Sequence, residues 1–261
     1  MIAGEAGRAA SLPMYAFPEI DAANAAFLAA IARALRLEGI TENDSAGETL
    51  FSQVCGYPLL TSENGRFSVL AAPCYDLPGC DGPTHRSFIV VNAATPYRGL
   101  EELRGGVFAL NEPTSNSGMN LARSAFARVA EQKPFFRRVL LSGSHANSLA
   151  RVASGAADAA SIDCITYGLL SVHRPAVIAG CRILAQTAPS PAPPFVTSSE
   201  TRPATVAALR RALAGALRDE HCANAMRALR LKKVVAASAD DYRAVLDLER
   251  DASERGYPSL A

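Results

Sequence analysis

The side chains best placed to do chemistry are short hydroxyls and amides gathered in Asn111-Glu112-Pro113-Thr114-Ser115-Asn116-Ser117-Gly118-Met119-Asn120. Before them, Gly106-Val107-Phe108-Ala109-Leu110 reads as a buried strand, and after them Leu121-Ala122-Arg123-Ser124-Ala125-Phe126 reads as a helix. A strand that passes into a helix through such residues leaves backbone N–H groups aimed at one spot. The helix dipole and the hydroxyls of Ser115 and Ser117 then favour an anion there. No Walker lysine follows, so the loop is not a nucleotide-binding P-loop. The same residues would equally serve as an ordinary N-cap, and at this point both readings stand.

Other places along the chain carry usable groups. His145 follows Gly143-Ser144, where an imidazole at a helix start either caps the helix or adds a charged donor. Asp163 ends an apolar strand, where a carboxylate is costly unless paired. It therefore meets either a ligand or a nearby backbone N–H. Tyr15 and Tyr57 sit at strand ends, suited to core packing or to a cleft wall. Arg86 reads as a surface or hinge-supporting arginine. Cys55, His145 and Asp163 could be read as nucleophile, base and orienter of a thiol hydrolase, the alternative to a binding protein. Cys55 has no local signature of such enzymes, and the three fall in different blocks of the chain, so no enzyme is expected. No metal site and no cofactor are expected either. The six cysteines are scattered without a C-x-x-C pair, although Cys74 and Cys80 flank a Pro/Gly turn and could bridge in an oxidising compartment. Reduced structural thiols are the other reading.

These residues must be held by a sizeable frame. The 261 residues can bury a large core in one domain or two lobes. The 49% apolar and 20% charged fractions are ordinary for a soluble protein. Lys+Arg of 26 against Asp+Glu of 25, with no basic block beyond Arg210-Arg211 and Lys232-Lys233, disfavours nucleic acid as a partner. No apolar run spans a bilayer. The start, Met1 to Ala10, lacks the basic and long apolar stretches of a secretion signal. On that reading export is absent, or the signal is removed or missing from this chain.

Strand-like segments at 11–15, 50–55, 67–72, 87–91, 106–110, 136–141, 156–162 and 182–187 alternate with helical patterns at 21–37, 121–130, 149–154, 165–172, 203–219 and 239–251. This alternation predicts an α/β protein with mainly parallel sheets. Extended crossings near Val90–Ala94 and Ala185–Pro191, the latter running into a proline-rich segment, enclose a middle block. The expected organisation is a discontinuous first lobe of residues 1–93 and 189–261 and an inserted second lobe of 94–188, joined by a hinge of two crossing strands. Loops at the C-terminal strand ends would face a shared cleft.

In order along the chain, Leu12-Pro13-Met14-Tyr15, Gln53-Val54-Cys55-Gly56-Tyr57-Pro58, Thr114-Ser115-Asn116-Ser117-Gly118, Gly143-Ser144-His145 with Ser148, Gly155-Ala156-Ala157-Asp158 with Asp163, and the proline-rich run to Phe195-Val196 resemble one known family. It is the phosphonate/phosphate-type substrate-binding proteins of ABC transporters, which are type II periplasmic binding proteins. The resemblance runs from about Ser11 to about Leu217. It implies a monomer of two α/β lobes closing on a small oxyanion, delivered to an ABC permease from the periplasm. It makes Ser115, Asn116 and Ser117 donors at a helix start and His145 a second-lobe contact. Asp163 becomes the partner of a ligand amine or acidic hydroxyl, while Tyr15 and Tyr57 cover the ligand from the first lobe. A cytoplasmic or regulatory ligand-sensing module of the same fold is the companion reading.

Overall fold

The computed structural model describes residues 10–41, 44, 49–130 and 134–260. The N-terminal stretch read above for an export signal lies, apart from Ala10, outside the described residues. The elements in the first part of the chain are α1 (Asp21–Leu37), β1 (Ser52–Gln53), α2 (Gly56–Leu60), β2 (Phe67–Tyr75), β3 (Thr84–His85) and β4 (Ser87–Asn92). Then come β5 (Val107–Leu110), α3 (Leu121–Phe126), β6 (Arg138–Leu141), α4 (His145–Ala153), β7 (Ala159–Asp163), α5 (Cys164–His173) and α6 (Pro175–Ile178). The last are β8 (Cys181–Gln186), β9 (Ser190–Pro191), β10 (Phe195–Ser198), α7 (Pro203–Ala216), α8 (Ala223–Ala228), β11 (Leu231–Val235) and α9 (Ala244–Glu254).

The chain divides into two compact units, the first Met1–Asp76 with Pro191–Tyr242, the second Leu77–Ser190 with Arg243–Ala261. In the first, the sheet order is β1-β10-β2-β11, and every pairing is antiparallel. Helix α1 buries Phe27, Ala30, Ile31 and Leu35, a stripe at helical spacing, with Asp21 in its first turn and Arg36 in its last to suit the dipole. Phe27 meets Phe51 and Phe195 edge-on, and those two stack with centroids 5.4 Å apart. Pro13–Tyr15, expected as a strand, is a 3₁₀ turn, because proline favours a first helical position and cannot donate to a ladder.

In the second unit the order is β6-β5-β7-β4-β8. Strand β5 runs parallel to both β6 and β7, while β4 runs antiparallel to β7 and β8. The fold is therefore α/β with mixed sheets, and the expectation of mainly parallel pairing is corrected: only the strands joined through helical connections pair in parallel. The expected lobe limits also differ from the two units. Ser87-Phe88-Ile89-Val90-Val91 is buried throughout, and its backbone groups are paired by β7 on one edge and β8 on the other, so β4 sits inside the second sheet and not at the end of the first lobe. Residues 243–261 join the second unit for a similar reason. Ala252, Tyr257 and Leu260 are buried in one cluster with Phe108, Phe126, Phe135 and Phe136. Rings there lie 4.8–5.9 Å apart, mostly edge-on, and each buried phenylalanine contributes roughly 1.5–3 kcal/mol.

Candidate functional site

The second unit builds its serine loop at the end of β5. Ser115 is the N-cap of a π-helical turn, Asn116–Asn120, that runs directly into α3. Its Oγ accepts the Gly118 N–H at 2.9 Å, and its carbonyl accepts the Asn120 N–H at 3.1 Å, closing the wide turn. Such turns are rare and concentrate at functional sites. Gly118 is required here: a Cβ would stand 1.6 Å from Oδ1 of Asn111. The Ser117 carbonyl is turned inward, where it accepts the hydroxyls of Ser87 at 2.9 Å and Ser161 at 2.6 Å. That pins the backbone and leaves the Ser117 Oγ 2.9 Å from Nε2 of His145 and 3.4 Å from the Ser115 Oγ.

His145 is the first residue of α4, whose N-cap Ser144 accepts the Asn147 N–H. Burial pushes the imidazole below its ordinary value, the Asp163 charge opposes this, the His85 charge adds to it and the Ser161 carbonyl opposes it. The ring is consequently neutral near pH 7, and one ring nitrogen faces the serine hydroxyls. Because Ser115 Oγ already accepts a backbone N–H, its own proton is directed away from Gly118. Two hydroxyls and one imidazole nitrogen thus converge at a helix start, the donor set an oxyanion needs.

Asn116 is placed differently. Its Nδ2 donates to the Ser190 Oγ at 2.9 Å and its Oδ1 accepts from Asn120 Nδ2. Asn120 in turn donates to the Val245 carbonyl and accepts from Arg123, which reaches Glu249 and the Pro258 carbonyl. The amide of Asn116 thus begins a chain of hydrogen bonds tying α3 to α9. Sequence reading missed Asn120 and Arg123, although their spacing of four and seven residues from Asn116 puts all three on one helix face.

Asp163 caps α5, accepting the N–H groups of Ile165 and Thr166 and the Thr166 hydroxyl. Its Oδ1 also lies 2.9 Å from Nδ1 of His85, with both residues buried. Burial pushes the carboxyl up, but the His85 hydrogen bond and charge, the His145 charge and the Ile165 N–H together hold it below its ordinary range. These four bonds fill the carboxylate's acceptor capacity. His85 was not singled out by sequence, since nothing local ties it to a residue 78 positions later. The carboxylate of Asp163 orients His85 and not His145, so the thiol-hydrolase constellation is not assembled as read.

In the first unit Tyr15 is buried and meets Tyr75 edge-on at 5.7 Å. The Tyr75 hydroxyl accepts from Gln53 Nε2, which also donates to the Pro193 carbonyl. Tyr57 lies on the short helix α2, where its carbonyl accepts the Thr61 hydroxyl.

Residues 49–242 match the family described as the ABC transporter phosphonate periplasmic substrate-binding proteins. The chain belongs to this family. It is a family of transport proteins that bind substrate and not of enzymes, which removes the hydrolase alternative. Solved structures share the fold of this phosphonate-binding-family chain. The binding-protein component of an ABC phosphonate transporter from Pseudomonas aeruginosa is 15% identical, with TM-score 0.75 over 95% of this chain and 88% of that one. A Xanthomonas citri protein bound to ATP is 18% identical, with TM-score 0.70 over 95% and 98%. PhnD1 from Prochlorococcus marinus, in complex with methylphosphonate, is 16% identical, with TM-score 0.62 over 87% and 84%. No curated protein matches the sequence. Among the described residues no helix is long and apolar enough to cross a membrane.

Proposed function

We propose that this chain captures a small phosphonate- or phosphate-like oxyanion for uptake through an ABC permease. The carrying observation is the convergence of Ser115 Oγ, Ser117 Oγ and His145 Nε2 at the start of the π-turn and α3, with 2.9 Å and 3.4 Å separations. The family match and the methylphosphonate held by PhnD1 support the ligand class. Ser115 and Ser117 donate hydroxyl protons to the anion, and His145 donates from Nε2 or, when protonated, adds charge. Asn116 holds the turn through Ser190 and Asn120, and Asp163 positions His85 and α5 instead of presenting a free carboxylate. Tyr15 and Tyr57 are the first unit's proposed ligand contacts. The protein acts as a monomer. Calorimetry against methylphosphonate, phosphate, phosphite and sulfate tests the ligand class. Saturable binding of the phosphorus oxyanions supports it, and a silent panel with binding of an unrelated solute overturns it.

A further inference from the structure

Outside the serine loop, the second unit brings two thiols together. Leu77-Pro78-Gly79-Cys80 is a tight turn in which the Cys80 N–H donates to the Leu77 carbonyl at 3.1 Å. Proline in second place and glycine in third, with φ +89° at Gly79, is the type II pattern. The turn presses flat on the start of α5, where a Cβ at Gly79 would stand 2.8 Å from the Cys164 Cβ. The next side chain, Cys80, consequently brings its Sγ 3.6 Å from the Cys164 Sγ. Both thiols are free, Cys80 partly exposed and Cys164 buried. The neighbour of Cys80 is therefore Cys164, 84 residues away, and not the Cys74 suggested by the Pro/Gly turn.

We propose that Cys80 and Cys164 form a reversible disulfide that staples the 77–80 turn to the N-terminus of α5. A closure of about 1.6 Å brings the sulfurs from 3.6 Å to the bonded distance of ~2.05 Å. The oxidant is a small disulfide such as oxidised glutathione. The Cys80 thiolate, the accessible one, attacks one sulfur of the oxidant, and the first glutathione leaves as a thiolate that takes up a proton. The Cys164 thiolate then attacks Cys80 Sγ in the mixed disulfide and releases the second glutathione, which takes the second proton. The protein loses two protons and two electrons, and the oxidant gains both. Cys80 is partly exposed and Cys164 is buried, which sets this order of attack. The periplasm, the compartment of the family, is oxidising.

A ring nitrogen of His85, a carboxylate oxygen of Asp163 and Cys164 Sγ lie within 4.8 Å of one another, so the same corner holds a metal-ligand set. The disulfide is favoured because His85 and Asp163 are already bonded to each other, and the backbone N–H groups of Ile165 and Thr166 occupy the carboxylate. The test oxidises the reduced full chain with oxidised glutathione, then counts thiols, weighs the protein and maps peptides. The expected result is a fall from six free thiols by two, a peptide joining Cys80 to Cys164, and a Tm rise on the order of 5–10 °C that dithiothreitol reverses. C80S, at a partly exposed position, abolishes the linked peptide and the Tm rise. Six thiols retained, a glutathione adduct on Cys80 that never resolves, or a bridge between other cysteines overturns the proposal. Zinc alone, retained through dialysis by the parent but not by C164S and blocking oxidation, also overturns it in favour of a metal site.

Discussion

Two polar clusters of the second unit contain the same kinds of side chain and differ in what is left over. At the Asp163–His85 corner the carboxylate meets a histidine, two backbone N–H groups and a hydroxyl, so its capacity is filled from within the chain. At the serine loop, the Ser117 hydroxyl meets the Ser115 hydroxyl and His145, and no carboxylate takes part. The first arrangement stabilises the fold, whereas the second is the one proposed to offer its donors to a ligand. The position of residues after strand ends is alike in both. What separates binding from structure is the count of protons and lone pairs that remain once the backbone has been served.

The largest effect expected from this contrast is on stability. Asp163→Ala leaves His85 buried without its partner and removes the α5 cap, lowering stability by about 3–5 kcal/mol in chemical denaturation. Anion affinity of the folded fraction changes by less than about tenfold, because no donor of the serine loop is lost. A folded Asp163→Ala protein of parental stability would erase the distinction. Next in size, Ser115→Ala weakens anion binding by about 1.5–3 kcal/mol, roughly 10- to 150-fold, while stability falls by only ~1 kcal/mol. Calorimetry and thermal melts together read both numbers, and the reverse ordering would make Ser115 a cap alone.

Acid separates the two clusters by pH window. His145 has its pKa lowered on folding, so the unfolded chain takes up the proton first. Its contribution is complete above the ordinary value of 6.5 and declines as pH falls below it. Asp163 is also lowered, so its contribution is complete above 3.8 and is lost as pH falls through the folded value beneath that. His145→Gln flattens the stability profile below pH 6.5 and Asp163→Asn flattens it below pH 3.8, as read by denaturant midpoints. Anion affinity of the parent rises as pH falls through the lowered folded value of His145, beneath 6.5, where imidazolium becomes available, provided the ligand stays ionised. The smallest effect belongs to Ser144→Ala, which loosens the cap of α4 at a cost of ~1 kcal/mol and shifts affinity only a few-fold through His145.

The serine loop was legible because its logic is local: a buried strand, small polar residues and a helix lie within twenty positions. The α/β class was legible for the same reason. Pairings across long separations were not. Asp163 looked costly in an apolar strand, and it is paired, but His85 carries no local mark of that partnership. The β-rich crossing near Val90–Ala94 was read as leading into the inserted lobe, whereas β4 pairs with β7 on one edge and β8 on the other. Residues 243–261 were placed in the first lobe, with a last helix expected at 239–251, yet Ala252, Tyr257 and Leu260 complete the Phe108–Phe126 core. Asn116 was taken with its serine neighbours as a donor. Its amide points along α3 to Asn120 because the π-turn rotates successive side chains onto different faces.

The central claim is that the Ser117 hydroxyl serves the ligand more than the fold. The direct measurement is isothermal titration of the parent and Ser117→Ala with methylphosphonate and phosphate at pH 7, with melting temperatures taken on the same samples. The account predicts a loss of roughly tenfold or more in affinity for the better ligand, with Tm lowered by only a few degrees. Equal affinity of the two proteins, beside a large fall in Tm, would contradict it.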